Sequence, residues 1–242
     1  MSPIGALVIP EISPVIQRTI IADRVGEINL SVDTMSTIGT LTEFIVTRAI
    51  PSHEAYLIFL PTNGLPALLP KKYALKQYRV GEVGWATIFD LDRSYTIVSQ
   101  RAPQYTRKIL EFLINDELTA HDLRIFRVAK TAYGTQFKVA LKGTGSAQEL
   151  YHDVQHRKEE IAKYIYGSVY FLKYANKPEE YVKNALLPAP SKSIAKVILQ
   201  EELNQIDVYV ESASVGIFMG KHGNNVAAAS KLLGYSVQIK AI

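Results

Sequence analysis

Val215–Leu233 reads VGIFMGKHGNNVAAASKLL, and this stretch decides the fold. Two glycines, Gly220 and Gly223, bracket the polar pair Lys221-His222 between a short apolar run and a segment of helical pattern starting at Asn224. Glycine at both ends lets a backbone take left-handed dihedrals and come close to another chain. Asn224 suits a helix N-terminus, where unpaired N–H groups and the positive end of the helix dipole favour phosphate. Lys221 and His222 add donors at the tip, the Asn224–Asn225 pair and Lys231 supply further polar groups, and Val226, Ala229 and Leu233 form the inward face.

Outward from this stretch the chain repeats itself. Strand patterns at Ser193–Leu199 and Gln205–Val210 precede it and one at Tyr235–Lys240 follows, with an amphipathic helix at Pro178–Leu187 ahead of them all. The same order occurs upstream: a helix at Pro103–Ile114, strands at Leu123–Ala129 and Gln136–Leu141, helices at Ala147–His152 and Arg157–Tyr166, and a strand at Val169–Lys173. Setting Gly167 against Gly234 places Leu150 on Ile217 and Ile161 on Ala228, so an internal repeat is expected. Helix–strand–strand–helix–loop–helix–strand is the order of a bacterial-type (type II) KH module, whose glycine loop grips about four nucleotides of single strand. In the first copy the loop positions fall on Asp153, Val154, Gln155 and His156, with no glycine and with an acid in place of Gly220 where phosphate would lie. This copy is expected to be structural, with Arg157 and Lys158 partly offsetting Asp153.

Between Gly39 and Arg101 the pattern is β throughout: Thr40–Thr47, Ala55–Leu60, Leu65–Leu69, Val83–Asp90 and Tyr95–Ser99, with Asn63-Gly64 and Asp90–Ser94 as turns. Five short strands in so few residues fit a small OB-type barrel. Phe44, His53 and Tyr56 are candidates for a nucleic-acid face, and Lys71 and Lys72 beside Pro70 are candidates for phosphate contacts. The expected class is therefore a multidomain α+β chain: an extension of unknown role at 1–38, an OB barrel at 39–102, a degenerate KH domain at 103–177 and a KH domain with an intact loop at 178–242.

The string from Val215 to Ile239, the segment Pro178–Ala189 and the Gly64–Pro70 and Val80–Val83 pieces together resemble NusA-type transcription elongation, termination and antitermination factors. The resemblance covers roughly residues 39–242 and implies a non-catalytic, cytoplasmic protein that binds single-stranded RNA and works with RNA polymerase or other ribonucleoprotein components. The family's polymerase-binding domain ahead of the barrel has no counterpart in residues 1–38, which puts polymerase attachment in doubt.

Composition narrows the choices. The chain has 242 residues and no cysteine, which excludes disulfides, thiolate metal sites and thiol catalysis. Its five histidines show no ligand-like spacing, and no nucleotide-hydrolase phosphate loop occurs, so no catalytic residue, metal or cofactor is expected. No apolar run approaches a membrane span. A net charge of +4 is small for a nucleic-acid binder, so backbone clamping and stacking must outweigh counterion release. The competing reading is an assembly subunit of a polymerase, ribosome or viral complex, attached through residues 1–36 and the tyrosine-rich first repeat.

Overall fold

The computed structural model describes residues 37–91, 96–130 and 136–242. The expected strands within 1–36 and most of the turn before Thr96 lie outside them. The chain divides into two compact units, the first ending at Ile109 and the second running from Leu110 to Ile242.

The first unit holds β1 (Leu41–Ile50), β2 (Ala55–Leu60), β3 (Leu65–Pro70), β4 (Val83–Leu91) and β5 (Thr96–Ser99). They close into a barrel in the order β1-β2-β3-β5-β4, with only β3 and β5 parallel. Strand alternation decides what fills it: Tyr56, Ile58 and Leu60 of β2, Ala67 and Leu69 of β3, and Ala86 and Ile88 of β4 all point inward. Gly84 is required by that filling, since a Cβ there would stand 2.6 Å from the Phe44 ring. Gln100, buried, accepts from the Leu75 N–H and donates to the Trp85 carbonyl, pinning the segment between β3 and β4 to the barrel wall.

The helix α1 (Pro103–Leu113) runs across the division. The second unit continues with α2 (Asn115–Ala120), β6 (Leu123–Lys130), β7 (Gln136–Gly143), α3 (Ala147–Asp153), α4 (Lys158–Tyr164) and β8 (Ser168–Lys173). It repeats the order as α5 (Pro178–Ala185), β9 (Ile194–Gln200), β10 (Gln205–Val210), α6 (Val215–Met219), α7 (Asn224–Leu233) and β11 (Ser236–Ala241). Each copy makes a three-stranded sheet, β6-β7-β8 and β9-β10-β11, with one antiparallel and one parallel pair. Both are KH-type α/β folds. The extra helix α2 was not legible: in NDELTA only Leu118 is apolar and buried, too little for a helical period.

The repeat is real but its register shifts. Leu150 and Phe218 are both fully buried whereas Ile217 is 57% exposed, so Leu150 takes the place of Phe218, correcting the expected match with Ile217. Ile161 and Ala228 remain equivalent, both buried. The first copy thus carries one residue more than the second between its two anchors, although the loops themselves, 154–157 and 220–223, are equally long.

The copies share one core. Ala129, Ala140 and Leu172 from the first sheet pack with Val182, Ala185 and Leu186 at α5 and with Ala229 and Leu232 of α7. Lys138 is buried in this seam, where its ammonium donates to the Ala185 and Leu187 carbonyls at the end of α5. Those carbonyls have no partner within their own helix.

Candidate nucleic-acid interface

The helix α6 stops at Gly220, whose φ of 68° and ψ of 170° are open to glycine almost alone. His222 (φ 55°, ψ 29°) and Gly223 (φ 73°, ψ 12°) follow in the left-handed region, and α7 begins. The two glycines are needed for different reasons. A Cβ on Gly220 would lie 2.8 Å from Asn225 Cβ, so the loop backbone rests directly on the first turn of α7. At Gly223 a Cβ would meet only Met219 Cε at 4.0 Å, so the positive φ alone asks for glycine.

The buried Asn225 is the anchor of this turn. Its amide donates to the Phe218 carbonyl at 3.0 Å and to the Leu186 carbonyl at 2.9 Å, tying α6 and the end of α5 to α7. It was expected to reach RNA; the structure makes it a support for the loop, because its position on the inward face commits both amide hydrogens to main-chain carbonyls. The Asn224 Oδ1 is shielded from solvent and has no hydrogen-bond partner, and no side chain caps α7. The first N–H groups of a ten-residue helix, an unsatisfied amide oxygen and the exposed Lys221 and His222 thus converge on one spot. Such a spot can take a phosphate at the helix end. Lys231 does not belong to it. It sits in the last turn of α7, about 10 Å along the axis by helical rise, with its ammonium 3.4 Å from the Lys130 carbonyl.

The loop of the first copy has another chemistry. Asp153 accepts from His121 Nε2 at 2.6 Å, and Val154 is buried. Arg157 was expected to offset Asp153, but its guanidinium is engaged elsewhere, donating to the Leu113 carbonyl and to Glu160 at 3.0 Å, with Glu117 at 3.4 Å. Burial works against its charge while the bonds to Glu160 and Glu117 favour it, and the balance raises its pKa. Beside this loop an open cleft of about 710 Å³ runs along the edge strand β8, lined by Tyr151, Val154, Ile161, Val169, Phe171 and Leu187 among others.

On the barrel, Phe44 and Tyr56 are buried and meet Tyr78 edge-on at 5.4 and 5.9 Å, so they fill the interior and cannot stack on bases. The alternation that aims Ile58 and Leu60 inward aims Tyr56 with them. His53, Lys71 and Lys72 are exposed and close together, because the Lys71 N–H donates to the Glu54 carbonyl at 2.7 Å. The aromatic surface beside them is one that periodicity did not single out: Tyr73 and the partly exposed Phe89 lie 5.0 Å apart, with Lys72 over the Tyr73 ring. Phe89 is the extra residue where β4 shifts register between Ile88 and Asp90, and a bulge leaves no trace in hydrophobic alternation.

Among the described residues, no group of three or more His, Asp or Glu is placed to hold a metal ion, and no helix is long and apolar enough to cross a membrane.

Comparison with known proteins agrees with this architecture. Residues 178–242 match the family NusA-like second KH domain. Over 66 residues the chain is 30% identical to the transcription termination/antitermination protein NusA of Rickettsia prowazekii (strain Madrid E), covering 27% of this chain and 13% of that protein. The NusA of Rickettsia conorii matches to the same extent. That of Halalkalibacterium halodurans is 24% identical over 210 residues, covering 82% of this chain and 54% of its own length. The chain therefore spans about half, or less, of the curated relatives it matches. An OB-like barrel followed by two KH-type modules gives it a NusA-like architecture.

Proposed function

We propose that this chain is a non-catalytic, single-stranded RNA-binding protein that regulates transcription elongation, termination or antitermination, gripping RNA at Gly220–Asn224. The observation that carries the reading is the convergence at that loop: an uncapped helix N-terminus, the unsatisfied Asn224 oxygen and two exposed basic side chains beside a backbone that Gly220 brings against α7. The match of residues 178–242 to the NusA-like second KH domain, and the names of the relatives above, support it. Partners in this reading are unstructured RNA and, through that role, components of the transcribing polymerase.

The test is Lys221→Asp with His222→Asp in the full chain. Neither change touches a glycine, Lys221 and His222 are exposed, and aspartate tolerates the left-handed dihedrals of His222. Two added acids at a phosphate site should lower affinity for unstructured RNA at least tenfold, measured by fluorescence anisotropy, while the thermal melt stays within a few degrees of wild type. Unchanged affinity would remove the loop as the grip.

A second reading, a protein-assembly surface, is favoured by one observation: the apolar cleft along β8 lies beside a loop whose aspartate is kept by His121 and whose arginine is turned away.

A further inference from the structure

The strand β6 breaks register between Ile125, opposite Leu141, and Arg127, opposite Ala140, so Phe126 is the extra residue of a bulge. A bulge aims its extra side chain out of the ladder, and Phe126 is 37% exposed on an edge strand. Its ring meets Tyr174 with centroids 4.7 Å apart, and Tyr174 meets the buried Tyr181 at 4.8 Å, which fixes the outer pair from beneath. Three cations surround these rings. The Arg127 guanidinium is 5.7 Å from the Phe126 centroid, held by the Leu232 carbonyl. Lys142 Nζ is 5.1 Å from Tyr174 and 5.8 Å from Phe126. Arg124 stands directly opposite Lys142 in the β6–β7 pairing, so both project from one face. Asp122, the acid that lines the adjoining depression, is turned to Thr144, whose hydroxyl donates to it at 2.6 Å. An open depression of about 590 Å³ adjoins the rings, with Arg124, Lys142, Tyr174 and Asn176 on its walls.

Packing alone would bury such a ring and would not ring it with charge. An exposed aromatic face rimmed by arginine and lysine is the chemistry that holds single-stranded nucleic acid, with the ring stacking a base and the cations meeting phosphates. An acidic peptide would use the cations and leave the ring idle. We infer that the exposed end of the first KH-type sheet, at Phe126, Tyr174, Arg124 and Lys142, is a second single-strand RNA contact, outside the helix–loop–helix of either module. The inference rests on the RNA-binding reading above and adds a site to it. A base stacks on Phe126, and the flanking phosphates engage Arg124 and Lys142.

The experiment uses the full chain, an unstructured RNA of about 20 nucleotides carrying 4-thiouridine, and a strand of about 6 nucleotides for comparison, lengths chosen to exceed and to match one module's site. Cross-linked peptides are mapped by mass spectrometry for wild type, Phe126→Leu and the pair Arg124→Glu with Lys142→Glu. Phe126→Leu keeps an apolar side chain against Tyr174, so its melt reports whether the fold is intact. Expected are cross-links at Phe126 or Tyr174 that vanish in Phe126→Leu, and about tenfold weaker binding of the long strand by the charge-reversed pair. Its salt slope should be shallower by about 1.4, two phosphate contacts at roughly 0.7 each. Absence of those cross-links together with an unchanged salt slope overturns the inference, as does an equal loss on short and long strands, which would assign the effect to the loop. If Lys221→Asp/His222→Asp binds like wild type while the Phe126 cross-links persist, the loop reading fails and this site stands.

Discussion

The two KH-type modules have one topology and opposite loops. In the second, Gly220 lets the backbone lie against Asn225, the helix end is uncapped, and two basic side chains face solvent. In the first, the loop has no glycine, Val154 is buried and Asp153 is kept by His121. The strand pairing that builds each sheet is the same in both. On the proposed reading the modules differ in binding through a few loop residues, and the scaffold accommodates both loops because its energy comes from a core the two modules share.

The comparison breaks first at Gly220. Gly220→Ala places a Cβ against Asn225 at a glycine-only backbone position, and should cost about 3 kcal/mol or more of stability in denaturant melts. Gly223→Ala has room and loses only the dihedral preference, so about 1 kcal/mol is expected from the same measurement. A difference of less than 1 kcal/mol between them would show that the close approach at Gly220 is not what requires glycine.

The shared core can be sharpened through Lys138. Burial pushes its ammonium down to about 7 from an ordinary 10.5. Between those values the unfolded chain binds more protons than the folded one, so stability should rise as pH increases from about 7 toward 10.5. Lys138→Met should flatten that rise while lowering stability overall, since the Ala185 carbonyl loses its donor. Chemical denaturation across this pH range checks both.

The smallest effect is expected from Asp153→Lys, which brings positive charge to the first loop without glycines. RNA affinity should stay within twofold of wild type by anisotropy. A tenfold gain would mean that charge alone separates the modules.

Much of this was legible in residue order. The strands Ala55–Leu60 and Gln205–Val210 and the helix from Asn224 to Leu233 follow directly from periodicity, and the glycine loop from its spacing. Those signals are local, because side-chain period and backbone dihedrals depend on near neighbours. The site was legible only in outline. Asn224 and Asn225 are chemically identical and adjacent, yet the oxygen of one is buried without a partner and the amide of the other locks two helix ends.

The sequence by itself determined the barrel-plus-repeat architecture, the glycine loop and the lack of glycines in its partner. Only the tertiary structure decided which aromatic rings are available: Phe44 and Tyr56 vanish into the barrel, while Phe89 and Phe126 emerge at bulges beside lysines. Register and burial are set by strands far apart in the chain, and no local pattern carries that information.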